Sequence, residues 1–360
     1  MKKPLIMLDL NESSRYGGPY IVANRIANSG LKKDFDFTFV RFGNDGQGSL
    51  SLSRLRCLVG QIKAKNPDLV HFSGLQLSGF MVAVACLLAG NYKSLMTIRG
   101  TSADALDIGR FKKFLVAYLF EPVTCLLTKR FYCNSSYTES RAISRLFSYK
   151  RLPYIYNFWG DTSSASREKK LSRKSISLDN SDVVVVSTGR ITYDKGFGLY
   201  CEIVELVLQH ESSVKFVLVG DGAYLETLKF RLSKFLENGS VICLGFRDDV
   251  PSINALADVY LNPSLHETLS ISTMEAMSAG LPAVVSNEGG LRELVVESES
   301  GYKCAISSPE CFAEKIISLT NDVATRRYMG QAASTRIASS MSENIITRDL
   351  KSVYMQVLHD

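Results

Sequence analysis

Apolar residues fall into short, β-branched runs separated by longer stretches with helical spacing. In the first half the runs are Pro4–Asp9, Asp36–Arg41, Asp68–Phe72, Ser94–Ile98, Arg130–Cys133 and Leu152–Tyr156, most of them far enough apart for a crossover helix. That spacing predicts right-handed βαβ units on a parallel sheet. Asn157–Asp161 reads as a turn leaving the sheet, and Thr162–Asn180, polar and rich in Ser, Lys and Arg, as an interdomain connection. The alternation restarts with Val183–Ser187, Val214–Val219, Ser240–Cys243, Asp258–Leu261 and Pro282–Ser286, with helical patterns over Tyr224–Leu236 and Met274–Ala279 between them. Asn344–His359 reads as an amphipathic helix. The expected fold class is α/β: two Rossmann-like domains with parallel sheets facing across a cleft, over residues 1–161 and 181–340, with 162–180 linking them and 341–360 closing the chain.

Composition agrees with two folded domains. At 360 residues, 46% hydrophobic and 22% charged, the chain is too long for one ordinary core and too apolar for disorder. Its eight cysteines never form a CxxC pair, and four scattered histidines give no zinc pattern, so reduced thiols in a cytoplasmic protein without a metal are expected. Met1-Lys2-Lys3 runs straight into LIMLDL, interrupted by Asp9, which argues against a signal peptide. The apolar run Gly79–Gly90 falls short of the ~20 residues that span a bilayer.

Charge separates the halves. Residues 1–180 hold 27 Lys/Arg against 13 Asp/Glu, and the remainder 15 against 23. A basic first half is either a solvated face or one that meets an anionic partner. Arg110–Arg130 joins a basic start to an apolar body, with Arg141, Arg145, Lys150 and Arg151 following. It reads either as a surface for anionic lipid or as a core-facing crossover helix. No interleaving of aromatic and basic residues suggests nucleic-acid binding.

Ligands of parallel α/β sheets sit beyond the carboxyl ends of the strands, so the candidate chemistry lies in the loops there. Asn11–Gly18 (NESSRYGG) opens a helix over Pro19–Asn28; Gly17-Gly18 forms either a phosphate-approaching loop or a plain tight turn. Ser187–Gly196 (STGRITYDKG) brings Arg190 and Lys195 out of one loop, a planar fork and a point charge suited to a diphosphate. Gly220-Asp221-Gly222 and Gly245–Asp249 line a nucleotide cleft or make turns, with Phe246 and Arg247 able to stack on or hydrogen-bond a base. Asn262–Gly290 then carries two carboxylates, Glu267 and Glu275, on either side of a Ser/Thr-rich helix start. With the helix beginning near Ser270, its N–H groups offer a phosphate site. Glu267 falls on the sugar side of that phosphate, and Glu275 either takes ribose hydroxyls or completes a Ser272-x-x-Glu275 capping box.

STGR…KG at 187–196, GDG at 220–222, LGF at 244–246 and a Glu-x7-Glu pattern followed by AMSAGLPAVVS resemble the retaining glycosyltransferases of family 4, which have the GT-B fold. The resemblance covers nearly the whole chain and is strongest from 183 to 305. It implies a nucleotide-sugar donor, UDP among the candidates, whose diphosphate binds Arg190 and Lys195. It further implies ribose on Glu275, the transferred sugar on Glu267, the base near Phe246 and Arg247, and Gly18 approaching the phosphates from the first domain. Leu269, Ser270 and Ile271, at the helix start, count among the donor-binding positions. Arg190, Lys195 and Glu267 are implied as the catalytic set, without metal or cofactor. On the acceptor side the resemblance points to Arg99, standing where many members carry a histidine; His71 either lines the acceptor cleft or is a core histidine. Thr268-Leu269-Ser270 replaces the family's common Gly-Phe-Gly. In the resembling fold the last helix crosses back to the first domain. The implied partner is a glycan or lipid-linked saccharide, in cell-surface polysaccharide synthesis, with the enzyme cytoplasmic and peripheral on the inner face of the membrane. A nucleotide-sugar epimerase, a phosphorylase or a non-catalytic sugar-nucleotide binder on the same architecture are the rivals.

Overall fold

The computed structural model describes residues 2–11, 18–42, 50–104, 109–157 and 171–360. Most of the Asn11–Gly18 loop, the turn after Asn157 and the first half of the expected connection lie outside the described residues. The chain divides into two compact units, residues 1–160 with 343–360, and residues 161–342.

In the first unit β1 (Leu5–Asn11), β2 (Asp36–Phe42), β3 (Leu69–Ser73), β4 (Ser94–Ile98) and β5 (Arg130–Cys133) form a parallel sheet in the order β2-β1-β3-β4-β5. The order reverses between β1 and β3, where such sheets open a crevice at the strands' carboxyl ends. Met7, Val40, Val70, Phe72, Met96 and Phe131, all fully buried, meet Leu58 and Ile62 of the helix Leu52–Lys65 and Val82 and Cys86 of Leu77–Ala89 in one core. Leu152–Tyr156, expected as a sixth strand, is not one. Leu152 N donates to Phe131 O at 2.7 Å, but the next bond, to Cys133 O at 3.0 Å, comes from Ile155 N, one residue later than the alternation of a parallel ladder requires, so the register slips and no strand forms.

The segment after β4 runs from Arg110–Leu115 through a π-helical turn at Val116–Phe120 into Glu121–Leu127. Val116, Thr124 and Cys125 face the core, whereas Phe111, Phe114, Tyr118 and Leu119 are 76%, 59%, 73% and 51% exposed. The chain's last helix, Glu343–His359, belongs to the first unit and buries Ile346, Leu350, Val353, Tyr354 and Val357. Tyr354 meets Phe35 edge-on at 5.3 Å, and Lys351 Nζ donates to Asp34 Oδ1 at 2.7 Å.

The second unit carries β6 (Val183–Thr188), β7 (Val214–Val219), β8 (Val241–Cys243), β9 (Val259–Asn262), β10 (Ala283–Ser286) and β11 (Gly301–Cys304) in the parallel order β11-β10-β9-β6-β7-β8. The short edge strand β11 is absent from the expected set, because GYKC has a lysine and a half-exposed tyrosine where a buried run would have aliphatics. The helix expected over Tyr224–Leu236 breaks into Leu225–Arg231 and Ser233–Glu237 at the fully buried Leu232. The described part of the expected connection, residues 171–180, is packed rather than loose. Ile176 and Leu178 are buried, and Arg173 donates to Leu256 O and to Asp258 Oδ2 at 2.9 and 3.0 Å.

Candidate active site

The second unit's order reverses between β6 and β9, and the carboxyl ends of these strands carry most of the predicted donor residues. After β6 the chain passes Gly189 and the exposed Arg190, makes a turn at Tyr193–Lys195 and enters the helix Phe197–His210 through Gly196. Gly196 has φ +71°, and a Cβ there would lie 1.9 Å from Pro263 O, so only glycine lets the two loops touch. Leu265 N donates to Asp194 O at 3.0 Å and fixes the loop after β9 against the Lys195 turn.

That contact brings Lys195 Nζ to Glu267 Oε1 at 2.8 Å, with the two side chains only 21% and 14% exposed. Asp194 Oδ2 stands 4.0 Å from the same ammonium. Glu267 is held from behind by Gly290, whose N–H donates to Glu267 O at 2.8 Å. A Cβ on Gly289 would sit 1.9 Å from that carbonyl, which explains the paired glycines after β10.

The helix Ile271–Ser278 starts beside this pair. Its cap is Ser270, whose Oγ accepts from Thr273 N at 3.3 Å, so the capping box that Ser272 and Glu275 offered as one of two alternatives does not form. By helix geometry the N–H groups of Ile271 and Ser272 have no intrahelical acceptor. Asn262, ending β9, is buried. Its Nδ2 donates to Ser270 Oγ and Thr273 Oγ1 at 3.1 and 2.9 Å, and its Oδ1 accepts from Ser264 N and Oγ at 3.1 and 2.7 Å.

Together these elements enclose a cavity of about 70 Å³ lined by Arg190, Lys195, Glu267, Tyr260, Asn262 and Ser272 among others. Arg190 sits at its wall and makes no ion pair among the described residues. The cavity thus presents two cations, one already balanced by a carboxylate, beside a helix start, the kind of donors a phosphate group takes.

The other predicted donor residues lie outside this cavity. Phe246 is 53% exposed. Arg247 grips Asp249 with both arms, Nε to Oδ1 at 2.8 Å and Nη2 to Oδ2 at 2.6 Å, so its fork is occupied. Leu269 and Ser270 are buried, leaving their backbone as the part able to meet a ligand, while Ile271 and Glu275 are half-buried. Tyr260, Asn262, Ser264 and the Gly289-Gly290 support were not foreseen. The available signal was Asn262 itself: an amide ending an apolar strand must find partners when buried.

In the first unit, Gly18 begins the helix Gly18–Asn28. Arg99 follows β4, its Nε donating to Ser73 Oγ at 3.2 Å and its Nη1 to Asn157 Oδ1. Ser73 N in turn donates to Asp9 Oδ1 at 3.1 Å. Burial pushes the Asp9 carboxyl up to about 6 against the pull of Ser73 N–H and Arg99, and burial lowers Arg99. Asp9, which the sequence shows only as an interruption in a strand, is thus part of a polar cluster at the carboxyl ends of β1, β3 and β4. His71 belongs to the core instead of lining an open surface. It is 3% exposed, and its Nδ1 and Nε2 share hydrogen bonds with Tyr354 OH and Thr97 Oγ1 at 2.8 and 2.7 Å.

Residues 168–336 match the family described as glycosyl transferases group 1. An uncharacterized glycosyltransferase of Methanocaldococcus jannaschii is 29% identical over 57% of this chain, a match covering little more than half of that protein, 54%. The UDP-Gal:alpha-D-GlcNAc-diphosphoundecaprenol alpha-1,3-galactosyltransferase of Escherichia coli is 25% identical over 82% of this chain and 77% of its own length. Among solved structures, Anabaena HepE in complex with UDP and glucose superposes with a TM-score of 0.78 at 18% identity, covering 98% of this chain and all of that one. Over 168–336, somewhat less than half of its length, the chain is similar to the group 1 glycosyl transferases, and its two parallel-sheet units have the GT-B fold.

Proposed function

We propose that this chain is a retaining, metal-independent hexosyltransferase of family 4 that moves a sugar from a UDP-sugar to a hydroxyl of a glycan or lipid-linked saccharide in cell-surface polysaccharide synthesis. The observation that carries the reading is the meeting of Arg190, Lys195, Glu267 and the Ile271–Ser278 helix start around one cavity. In this reading Arg190, Lys195 and the helix N–H groups stabilise the charge that grows on the departing diphosphate, the largest single contribution such a site makes. Lys195 exchanges part of its pairing with Glu267 for the phosphate, which leaves Glu267 able to take a hydroxyl of the transferred sugar. Glu275, one turn into the helix, takes the ribose. The leaving phosphate accepts the acceptor's proton, so no protein nucleophile is required. UDP is supported by the nucleotide bound in Anabaena HepE, and a lipid-linked acceptor by the diphosphoundecaprenol in the Escherichia coli relative's name. The exposed aromatic and basic residues of the 110–120 helix support a peripheral position at an anionic membrane.

UDP titration by calorimetry tests the donor site. Lys195→Ala and Glu275→Gln are each expected to weaken UDP binding by about tenfold or more, roughly 1.4 kcal/mol, with the unfolding midpoint nearly unchanged. Affinities equal to that of the unaltered chain would overturn the assignment.

A further inference from the structure

We infer that Cys304 and Cys311 form a modification site, a dithiol that closes to an intramolecular disulfide by exchange with a small-molecule disulfide of the glutathione class. The two Sγ atoms lie 2.6 Å apart. Cys304 is the last residue of the edge strand β11 and is buried, while Cys311 is half-buried in the first turn of the helix Pro309–Asn321. Ser308 caps that helix by accepting from Cys311 N at 3.4 Å, so the short loop from β11 holds both thiols face to face without any rearrangement of an element. Among the other cysteines, Cys57 is exposed and has no thiol neighbour in the described structure, which makes it an internal reference for a thiol that cannot close on a partner.

Accessibility sets the order of steps. Burial pushes the Cys304 thiol up, so the more accessible Cys311 reacts first. The Cys311 thiolate attacks one sulfur of the oxidant RSSR and RS⁻ leaves, giving a mixed disulfide on Cys311. Cys304 then attacks Cys311 Sγ, its proton passing to a departing thiolate, and the second RS⁻ is expelled. Two protein thiols lose two electrons and two protons, and RSSR becomes two RSH.

The site also touches the donor loop. Asn287 N donates to Cys304 O at 2.7 Å, and Asn287 opens the turn whose Gly290 supports Glu267. The dithiol therefore sits directly behind that turn, but its chemistry does not depend on what the cavity binds.

The experiment is incubation of the full, reduced chain with oxidised glutathione, followed by alkylation and non-reducing tryptic mapping. Cleavage after Lys303 and Lys315 puts both cysteines in one peptide. The expected result is that this peptide becomes lighter by two hydrogens, carries no adduct and resists alkylation, while Cys57 holds a stable glutathione adduct. In Cys304→Ala the closing step is removed, so Cys311 is expected to retain glutathione as Cys57 does. A stable adduct on Cys311 of the unaltered chain, or two alkylated thiols in this peptide while Cys57 is modified, would overturn the proposal.

Discussion

Asn262 shows how one amide holds a binding loop in place. Its two donors and its acceptor join the end of β9 to Ser264, Ser270 and Thr273, so the loop bearing Glu267 and the start of the next helix are set by the same side chain. Asn262→Asp keeps the shape but removes both donors and buries a carboxylate beside the cavity. Leaving buried partners unmatched costs about 1–3 kcal/mol, and the new charge repels a phosphate. Denaturant unfolding should therefore show a stability loss of that size, and UDP titration a weaker site than in the unaltered chain. A variant equal in both would mean that the loop is positioned by other contacts, chiefly the Gly290 to Glu267 bond and the Leu265 to Asp194 bond.

At the scale of elements, the last helix is fastened to the first sheet through His71 and Tyr354. Burial, with Arg99 adding to it, depresses the His71 imidazole to about 3. Its ring also faces Tyr132, whose hydroxyl lies 3.3 Å from Nε2, and Thr97. Because the folded value lies below the unfolded one, near 6.5, the unfolded chain binds the proton more readily. The contribution of His71 is thus complete above about pH 6.5 and is lost as the pH falls towards 3. Asp9, raised to about 6, acts in the opposite sense between its unfolded value and 6, so the effect must be isolated by difference. The stability gap between the unaltered chain and His71→Gln should shrink by about 1–2 kcal/mol from pH 7 to pH 5, measured by chemical unfolding. A constant gap would show that the imidazole is not held neutral.

The same element explains what the sequence could and could not disclose. Val214–Val219 appears with the expected ends, and β6, β9 and β10 within a residue or so, because β-branched runs between turn residues have few other uses. Leu152–Tyr156 looks equally strand-like, but its second bond to β5 comes from Ile155 where a regular ladder would use Tyr154, and such a slip in register cannot be read from the run itself. Arg190, Lys195 and Glu267 were legible as a group because each follows a strand whose carboxyl end must lie near the switch point. His71 was not decided by DLVHF, since its fate depends on Tyr354, 283 positions away in the chain. Asp9 was hidden for the same reason: its partners Ser73 and Arg99 come from other strands.

For the whole molecule, part of the uneven charge gathers beside exposed aromatic rings in the first unit. Arg110, Lys112 and Lys113 share one helix with Phe111 and Phe114, Tyr118 follows in the π-helical turn, and the Phe114 and Tyr118 rings pack 4.8 Å apart while both remain mostly exposed. Among the described residues no helix is long and apolar enough to cross a membrane, so attachment by this surface would rest on rings at the lipid boundary and cations on the headgroups. Each cation near an anionic surface contributes about 1 kcal/mol. Reversing two of them in Lys112→Glu/Lys113→Glu should therefore reduce vesicle binding by at least about tenfold. In flotation assays the unaltered chain should rise with phosphatidylglycerol-containing vesicles at low salt, stay behind with pure phosphatidylcholine, and be released as salt screens the charge. Phe111→Ser/Phe114→Ser should weaken binding at every salt concentration, because it removes the salt-insensitive part. Calorimetric UDP affinity serves as the control for folding, since both pairs lie in the other unit from the donor cavity and should leave it unchanged. Absence of flotation with anionic vesicles at low salt, or equal flotation with neutral ones, would remove the membrane from this protein's partners and leave the basic half as a solvated face.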